Sequence, residues 1–156
     1  MSGVLEHSQA DIVRHVLIAI NHGTLPSGNE PWPIYVDNEP DAPDNCITIT
    51  NTPSRDFGRD AIQYDRQEYH GIQIRIRAAT SPLGRNKARR LAIALDAEII
   101  QHTIALPKVP GVEEADYLIH SVTRTGDVLS LGKEVPNTKR HLFTLNAIVA
   151  IRQVLT

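Results

Sequence analysis

The stretch from Gly71 to Ala79 constrains this chain more than any other, because Ile72, Ile74, Ile76 and Ala78 alternate there with Gln73, Arg75 and Arg77. Successive side chains of a strand point to opposite faces, so this period of two predicts a strand with one apolar and one wet face. Such strands belong to antiparallel sheets in which one side is covered. Leu142 to about Val154 reads as a second one, pointing Phe143, Leu145, Ala147, Val149 and Ile151 one way. Tyr117 to Arg124 and the β-branched run Cys46 to Thr50 add two more, and Ile34-Tyr35-Val36 a short one.

Two amphipathic helices are available as the cover. From Gln9 to His22 the residues Ile12, Val13, Val16, Leu17 and Ile20 recur at helical spacing, with Ser8 placed to cap the helix and Gly23 to stop it. Ser81 as cap and Pro82 in the first turn open a second helix, whose stripe of Ala88, Leu91, Ala92, Leu95 and Ile99 runs to about His102. The predicted fold class is α+β: a single two-layer domain over residues 1–156, mainly antiparallel sheet with two helices packed on one face. Long loops are expected at about 24–45, 51–67 and 125–140. The first carries Pro26, Pro31, Pro33, Pro40 and Pro43, and the second is a polar insertion rich in arginine and aspartate that should project from the body.

Composition narrows the function classes. At 156 residues the chain can bury about 68–70% of its unfolded surface. No apolar run approaches the roughly 18 residues of a membrane helix, and Met1-Ser2-Gly3-Val4-Leu5-Glu6 lacks the basic start and apolar stretch of a signal peptide, so a cytoplasmic origin without a membrane partner is expected. The lone Cys46 can form neither an internal disulfide nor a thiolate metal cluster. Formal net charge is only −2, but it is segregated: residues 1–70 hold eleven acids against four bases, while residues 71–95 hold Arg75, Arg77, Arg85, Lys87, Arg89 and Arg90 with no acid. Such asymmetry points to interaction surfaces of opposite sign, against the plainer reading of solvated faces.

Signatures of chemistry are largely missing. There is no Gly-x-Ser-x-Gly elbow and no His-Glu-x-x-His, and Gly84-Arg85-Asn86-Lys87 lacks the glycine spacing and hydroxyl of a phosphate loop. His15 and His22 share a helix side but stand about 10 Å apart along it, too far to chelate one ion alone. Cys46, opening an apolar strand, reads as a small buried hydrophobe. Tyr64, Asp65, Glu68, Tyr69 and His70 near a strand entrance, with His120, are the residues from which a dispersed hydrolase site would be built. No cofactor or metal is implied. The basic run from Arg75 to Arg90 has no interleaved aromatic for base stacking, so contact with DNA would be with its backbone and without sequence specificity. Trp32, between Pro31 and Pro33, either anchors a partner or folds back over the sheet.

The order of these pieces carries a resemblance. Pro40-Asp41-Ala42-Pro43-Asp44-Asn45-Cys46-Ile47, then Tyr69-His70-Gly71-Ile72-Gln73-Ile74-Arg75-Ile76-Arg77-Ala78, then the capped helix with Lys87-Ala88, then Leu131-Gly132-Lys133, Arg140 and Phe143-Thr144-Leu145-Asn146 resemble the minor capsid or tail terminator family of long-tailed bacteriophages. The likeness covers most of the chain from about Trp32. It implies a non-enzymatic virion protein at the head–tail junction: a homo-oligomeric ring, commonly a hexamer, that ends the tail tube, meets the tail tube protein and the head connector, and passes genomic DNA through its lumen. The sequence departs from the family pattern at Ser54-Arg55-Asp56-Phe57 and in the extension Val135-Pro136-Asn137-Thr138.

Within that frame the expected subunit or lumen contacts are Arg75, Arg77, Arg85, Lys87, Arg89 and Arg90, meeting either DNA or an acidic surface that a neighbour supplies from residues 30–68. Trp32, Arg55, Asp56, Phe57, Arg59, Lys133, Lys139 and Arg140 are the expected partner-facing positions. A head-completion or head–tail adaptor ring, a host oligomeric adaptor and a small hydrolase are the competing readings.

Overall fold

In a computed structural model, residues 5–26, 30–59, 66–100, 102–133 and 139–154 are described. Their elements follow in the order α1 (Gln9–Ala19), β1 (Ile34–Val36), β2 (Cys46–Arg59), β3 (Arg66–Ala78), α2 (Ser81–Ile93), β4 (Thr103–Leu106), β5 (Ala115–Arg124), β6 (Leu129–Lys133) and β7 (His141–Val154). The strands form one seven-stranded mixed sheet of order β1-β2-β3-β7-β5-β4, with β6 added to β7. Only β1 and β2 run parallel among these pairs; every other pair is antiparallel, as the alternating strands predict. The α+β class stands.

Register explains the alternation. Ile74 pairs with Ile49 on one side and Leu145 on the other, and Ile76 with Ile47 and Phe143, so matched apolar positions stack across three strands. These side chains, Ile12, Val13, Val16 and Leu17 of α1, and Ala88 and Leu91 of α2 belong to one buried cluster. Burying each such aliphatic side chain contributes about 1.5–3 kcal/mol. α2 can sit close to the sheet because residue 84 is glycine: a Cβ there would lie 2.6 Å from Cε2 of Phe143.

Several boundaries differ from expectation, each for a local reason. α1 ends at Ala19 because Asn21 takes up the left-handed conformation (φ 66°) that Gly23 was expected to provide. Gly23 is needed instead for close approach, since a Cβ there would come within 2.4 Å of Ile34 Cδ1. The cap of α2 is Thr80, whose hydroxyl accepts the N–H of Leu83, and Ser81 is the first helical residue. α2 then loosens into a π-helical turn, Ala94–Glu98, before β4, a short strand within the stretch where only a loop was expected after the helix. β6 was equally hidden, being wholly exposed and without a buried face to impose a pattern.

The largest correction concerns residues 51–67. Much of this stretch is not a loop: β2 continues to Arg59 and β3 starts at Arg66, paired through Arg55↔Tyr69, Asp56↔Glu68 and Arg59↔Arg66. Backbone pairing needs no apolar side chain, so a polar sequence can extend a hairpin that begins in the core. Pro53, which has no N–H to donate, falls inside the first of the two register shifts, where a ladder bond is missing anyway.

Candidate interaction surfaces

The wet face expected for β3 is half covered. The segment between β1 and β2 returns over Arg75 and Arg77. One carboxylate oxygen of Glu39 lies 3.5 Å from Arg75 Nε and 4.0 Å from Arg77 Nη1. Arg77 Nη2 donates to the Pro43 carbonyl at 2.6 Å, and its Nε to the Asp44 carbonyl at 3.4 Å. Arg140, arriving at the start of β7, donates to the Asp41 carbonyl and stands 3.6 Å from an Asp44 carboxylate oxygen. Asn45 closes the segment by accepting the Ala79 N–H at 2.8 Å. A buried guanidinium is tolerated only with such fixed acceptors, because desolvating an ion costs several kcal/mol.

Arg77 is consequently 1% exposed, so within this subunit its guanidinium is not presented to a neighbour or a lumen. The pairing of basic strand with acidic segment exists, but inside one chain. Arg75 is only partly withdrawn, with 38% of its side chain exposed. The sequence could not display this: the distance between Glu39 and Arg75 along the chain hides that β1 and β2 pair in parallel, which obliges the connecting segment to cross back.

α2 is different. Arg85, Arg89 and Arg90 are exposed, and among the described residues none has an acidic partner; Arg90 Nε donates to Asn86 Oδ1 at 3.1 Å. Leu83 and Ile93 are exposed beside them, at 41% and 58%. Lys87 turns inward, placing its Nζ 5.5 Å from the centre of the Trp32 ring. Burial, and then the charge of Arg90, pull its pKa below 10.5. Trp32 itself is half-buried against the core in a left-handed conformation (φ 59°), so it acts as cover and as a cation–π platform.

Lys133 on β6 and Lys139 are exposed, with Leu129 and Leu131 open on the same strand. β2 carries the backbone of Arg55, Asp56, Phe57 and Arg59, but their side chains lie outside the described residues, as do Tyr64, Asp65, the side chain of Glu68 and the extension 135–138. His70 is buried on β3 and His120 exposed on β5, with β7 between the two strands, so this pair is not brought together. No metal-ligating group of three is present among the described residues.

Sequence reasoning missed one polar cluster altogether. The backbone N–H of His7 donates to Tyr117 Oη at 2.9 Å, its Nδ1 lies 2.8 Å from the same oxygen, and its Nε2 lies 3.2 Å from the Pro107 carbonyl. Burial is the main cause that raises the Tyr117 pKa, which keeps the phenol neutral. No spacing rule links residue 7 to residue 117, so only the fold reveals it. Beside this cluster, at the end of β7, a groove of about 470 Å³ is lined by Leu106, Pro107, Glu114, Asp116 and Val154 among others.

A family model described as bacteriophage tail terminator protein matches residues 16–105. That span runs from within α1 to within β4 and contains the Glu39–Asp44 segment, both sets of arginines and Trp32. No curated protein matches the chain.

Proposed function

The chain belongs to the bacteriophage tail terminator family, and from that premise we propose that it is a structural, non-enzymatic subunit of a homo-oligomeric ring at the head-proximal end of the tail tube. In this reading the ring, a hexamer by resemblance, stops tube polymerisation and presents a docking surface to the head connector. DNA passes through its lumen without sequence-specific contact. Residues 1–156 act as one domain, and no cofactor takes part.

The observation that carries the reading beyond family membership is the outward face of α2. Three arginines without acidic partners among the described residues and two exposed aliphatic side chains leave a surface that the subunit itself does not complete. Surfaces of that composition suit protein–protein contact, where an apolar centre is joined by charges that steer and orient the partner. Lys133 and Lys139 remain candidates for the tube or connector side, and Arg85, Arg89 and Arg90 for a subunit or lumen contact.

Light scattering of the purified protein, alone and mixed with its tail tube protein, tests the proposal together with negative-stain images. A closed ring, or capped tubes of limited length, is the expected result. A monomer that neither binds nor shortens tubes overturns it. Binding to filled heads in place of tube ends would transfer the protein to head completion.

A further inference from the structure

Ion pairing among the described residues leaves several cations and several acids over, Arg90, Lys133, Lys139 and Arg152 and Glu6, Glu30, Asp37 and Asp41 included; one group of each sign lies on α2 and at the start of β5. Arg85 and Arg89 have no acid partner among the described residues. Of the acids, Glu39 and Asp44 hold the strand arginines and Arg140, Asp11 holds Arg14, Asp96 holds Arg124, Glu98 meets His22 and Glu113 meets Lys108. Glu114 and Asp116 have no cation partner among the described residues, and both line the groove of about 470 Å³ beside Leu106, Pro107 and Val154.

These two surfaces lie at different parts of the central strand. α2 is held over the first half of β7: Gly84 packs on Phe143, and Asp96 of the π turn grips Arg124, whose strand partner is Ala147. The groove opens at the last described residues of that strand, Gln153 and Val154, where Asp116 pairs with Val154. A helix fixed in this way does not enter the groove of its own subunit.

We infer that the groove receives the outward face of α2 from a second copy of the chain, Arg85 and Arg89 meeting Glu114 and Asp116 while Ile93 enters beside Leu106, Pro107 and Val154. The inference rests on the ring reading and gives that ring its interface. Spacing supports it. Arg85, Arg89 and Ile93 follow each other at intervals of four, one side of a helix, about 6 Å apart along its axis. Glu114, just before β5, and Asp116, on it, are two residues apart, within about 7 Å along the chain, and both line the groove. A nucleic acid would satisfy the arginines and repel the carboxylates; a second copy satisfies both at once. Because the two patches differ, the contact is head-to-tail, and it generates a ring when the rotation per subunit closes.

The test compares the full-length wild type with Arg85→Glu/Arg89→Glu, with Glu114→Lys/Asp116→Lys and with the variant combining all four changes. Mass is followed by light scattering over a concentration series, alone and on tail tubes, after circular dichroism has shown that each variant melts like the wild type. Each double variant should need at least tenfold more protein to half-assemble, and the combined variant should regain the wild-type ring. Rings of unchanged concentration dependence in either double variant overturn the interface while leaving the ring reading intact. Loss in the helix variant without rescue in the combined one also overturns it and assigns the arginines to tube or DNA. A wild type that never assembles, with or without tubes, removes the ring reading and this interface together.

Discussion

Arginines of β3 and arginines of α2 are close neighbours in sequence and behave as opposites in the fold. Arg77 is 1% exposed and anchored on the Pro43 and Asp44 carbonyls, whereas Arg85 and Arg89 stand in solvent with no acid partner among the described residues. The difference comes from what the chain brings back over each element. The parallel pairing of β1 with β2 returns an acidic, proline-rich segment across β3, while no described acid is brought within reach of the outer face of α2. A run of like charges therefore divides into a part that holds the subunit together and a part without an acid partner among the described residues.

The sharpest way to break that comparison is to remove one arginine from each region. Arg77→Ala leaves Glu39 with less compensation and takes from the Pro43 and Asp44 carbonyls the buried guanidinium that holds their segment on β3, and should cost about 3 kcal/mol of unfolding free energy. Arg89→Ala should change it by less than about 0.5 kcal/mol, as exposed substitutions usually do. Urea unfolding of both variants measures the two values. Equal losses would mean that the segment between β1 and β2 does not hold Arg77 as the geometry indicates.

Next in size is the position of α2 itself. Gly84→Ala should destabilise by about 1–2 kcal/mol, because a Cβ 2.6 Å from Phe143 forces the ring or the helix to move, and this outweighs the gain of about 1 kcal/mol in helix propensity. Thermal unfolding decides it. A neutral or stabilised variant would show that Phe143 can turn aside and that the helix stands less firmly over β7.

How much of this was legible in sequence follows from which forces leave a periodic trace. The core strands and both helices were readable because Ile72, Ile74 and Ile76, or Val13, Val16 and Leu17, must repeat at the spacing of the face they bury. β6 buries no apolar face that would impose a period, and the outer parts of β2 and β3 are polar in sequence without apolar alternation, so a strand built there on backbone pairing reads as loop. The candidate surfaces were legible as charge and illegible as geometry. Arg77 and Arg89 look alike in a charge count, and only the return of Glu39 to Arg77 separates them. His7 with Tyr117 left no trace at all, because the hydrogen bonds join residues 110 positions apart.

Arg75 occupies the middle of the comparison and sharpens it. Its Nε approaches Glu39 only to 3.5 Å, without hydrogen-bond geometry, and its side chain is 38% exposed. Arg75→Gln should therefore cost less than about 1 kcal/mol, and the difference from wild type should shrink further as salt is raised to about 1 M, where the screening length falls to about 3 Å. The loss in Arg77→Ala should persist in the same salt, since its guanidinium is buried and is held by hydrogen bonds to neutral carbonyls. A salt-insensitive Arg75 effect would place it with Arg77.

The smallest effect belongs to Lys87, the basic residue of α2 that turns inward. Its ammonium is partly desolvated and sits near Arg90, so its folded pKa lies below the ordinary 10.5 of an unfolded chain. Between those two values the unfolded state binds more protons than the folded one, so stability must rise with pH across that window. The penalty is fully present below the folded pKa and is relieved as pH climbs towards 10.5. Lys87→Met keeps the stem and removes the charge, abolishing the penalty together with a cation–π attraction to Trp32 of about 0.5–1 kcal/mol. Near pH 7 the two terms oppose each other, and both are reduced by the partial exposure of the ammonium. As pH rises from the folded pKa towards 10.5, wild type should gain on the variant, and Arg90→Gln should flatten that gain by raising the lysine pKa. The titration of Tyr117, raised by burial in both proteins, cancels in the difference. A stability difference that stays flat over this range would put Lys87 outside the core of the Trp32 contact and return it to the solvent-facing arginines.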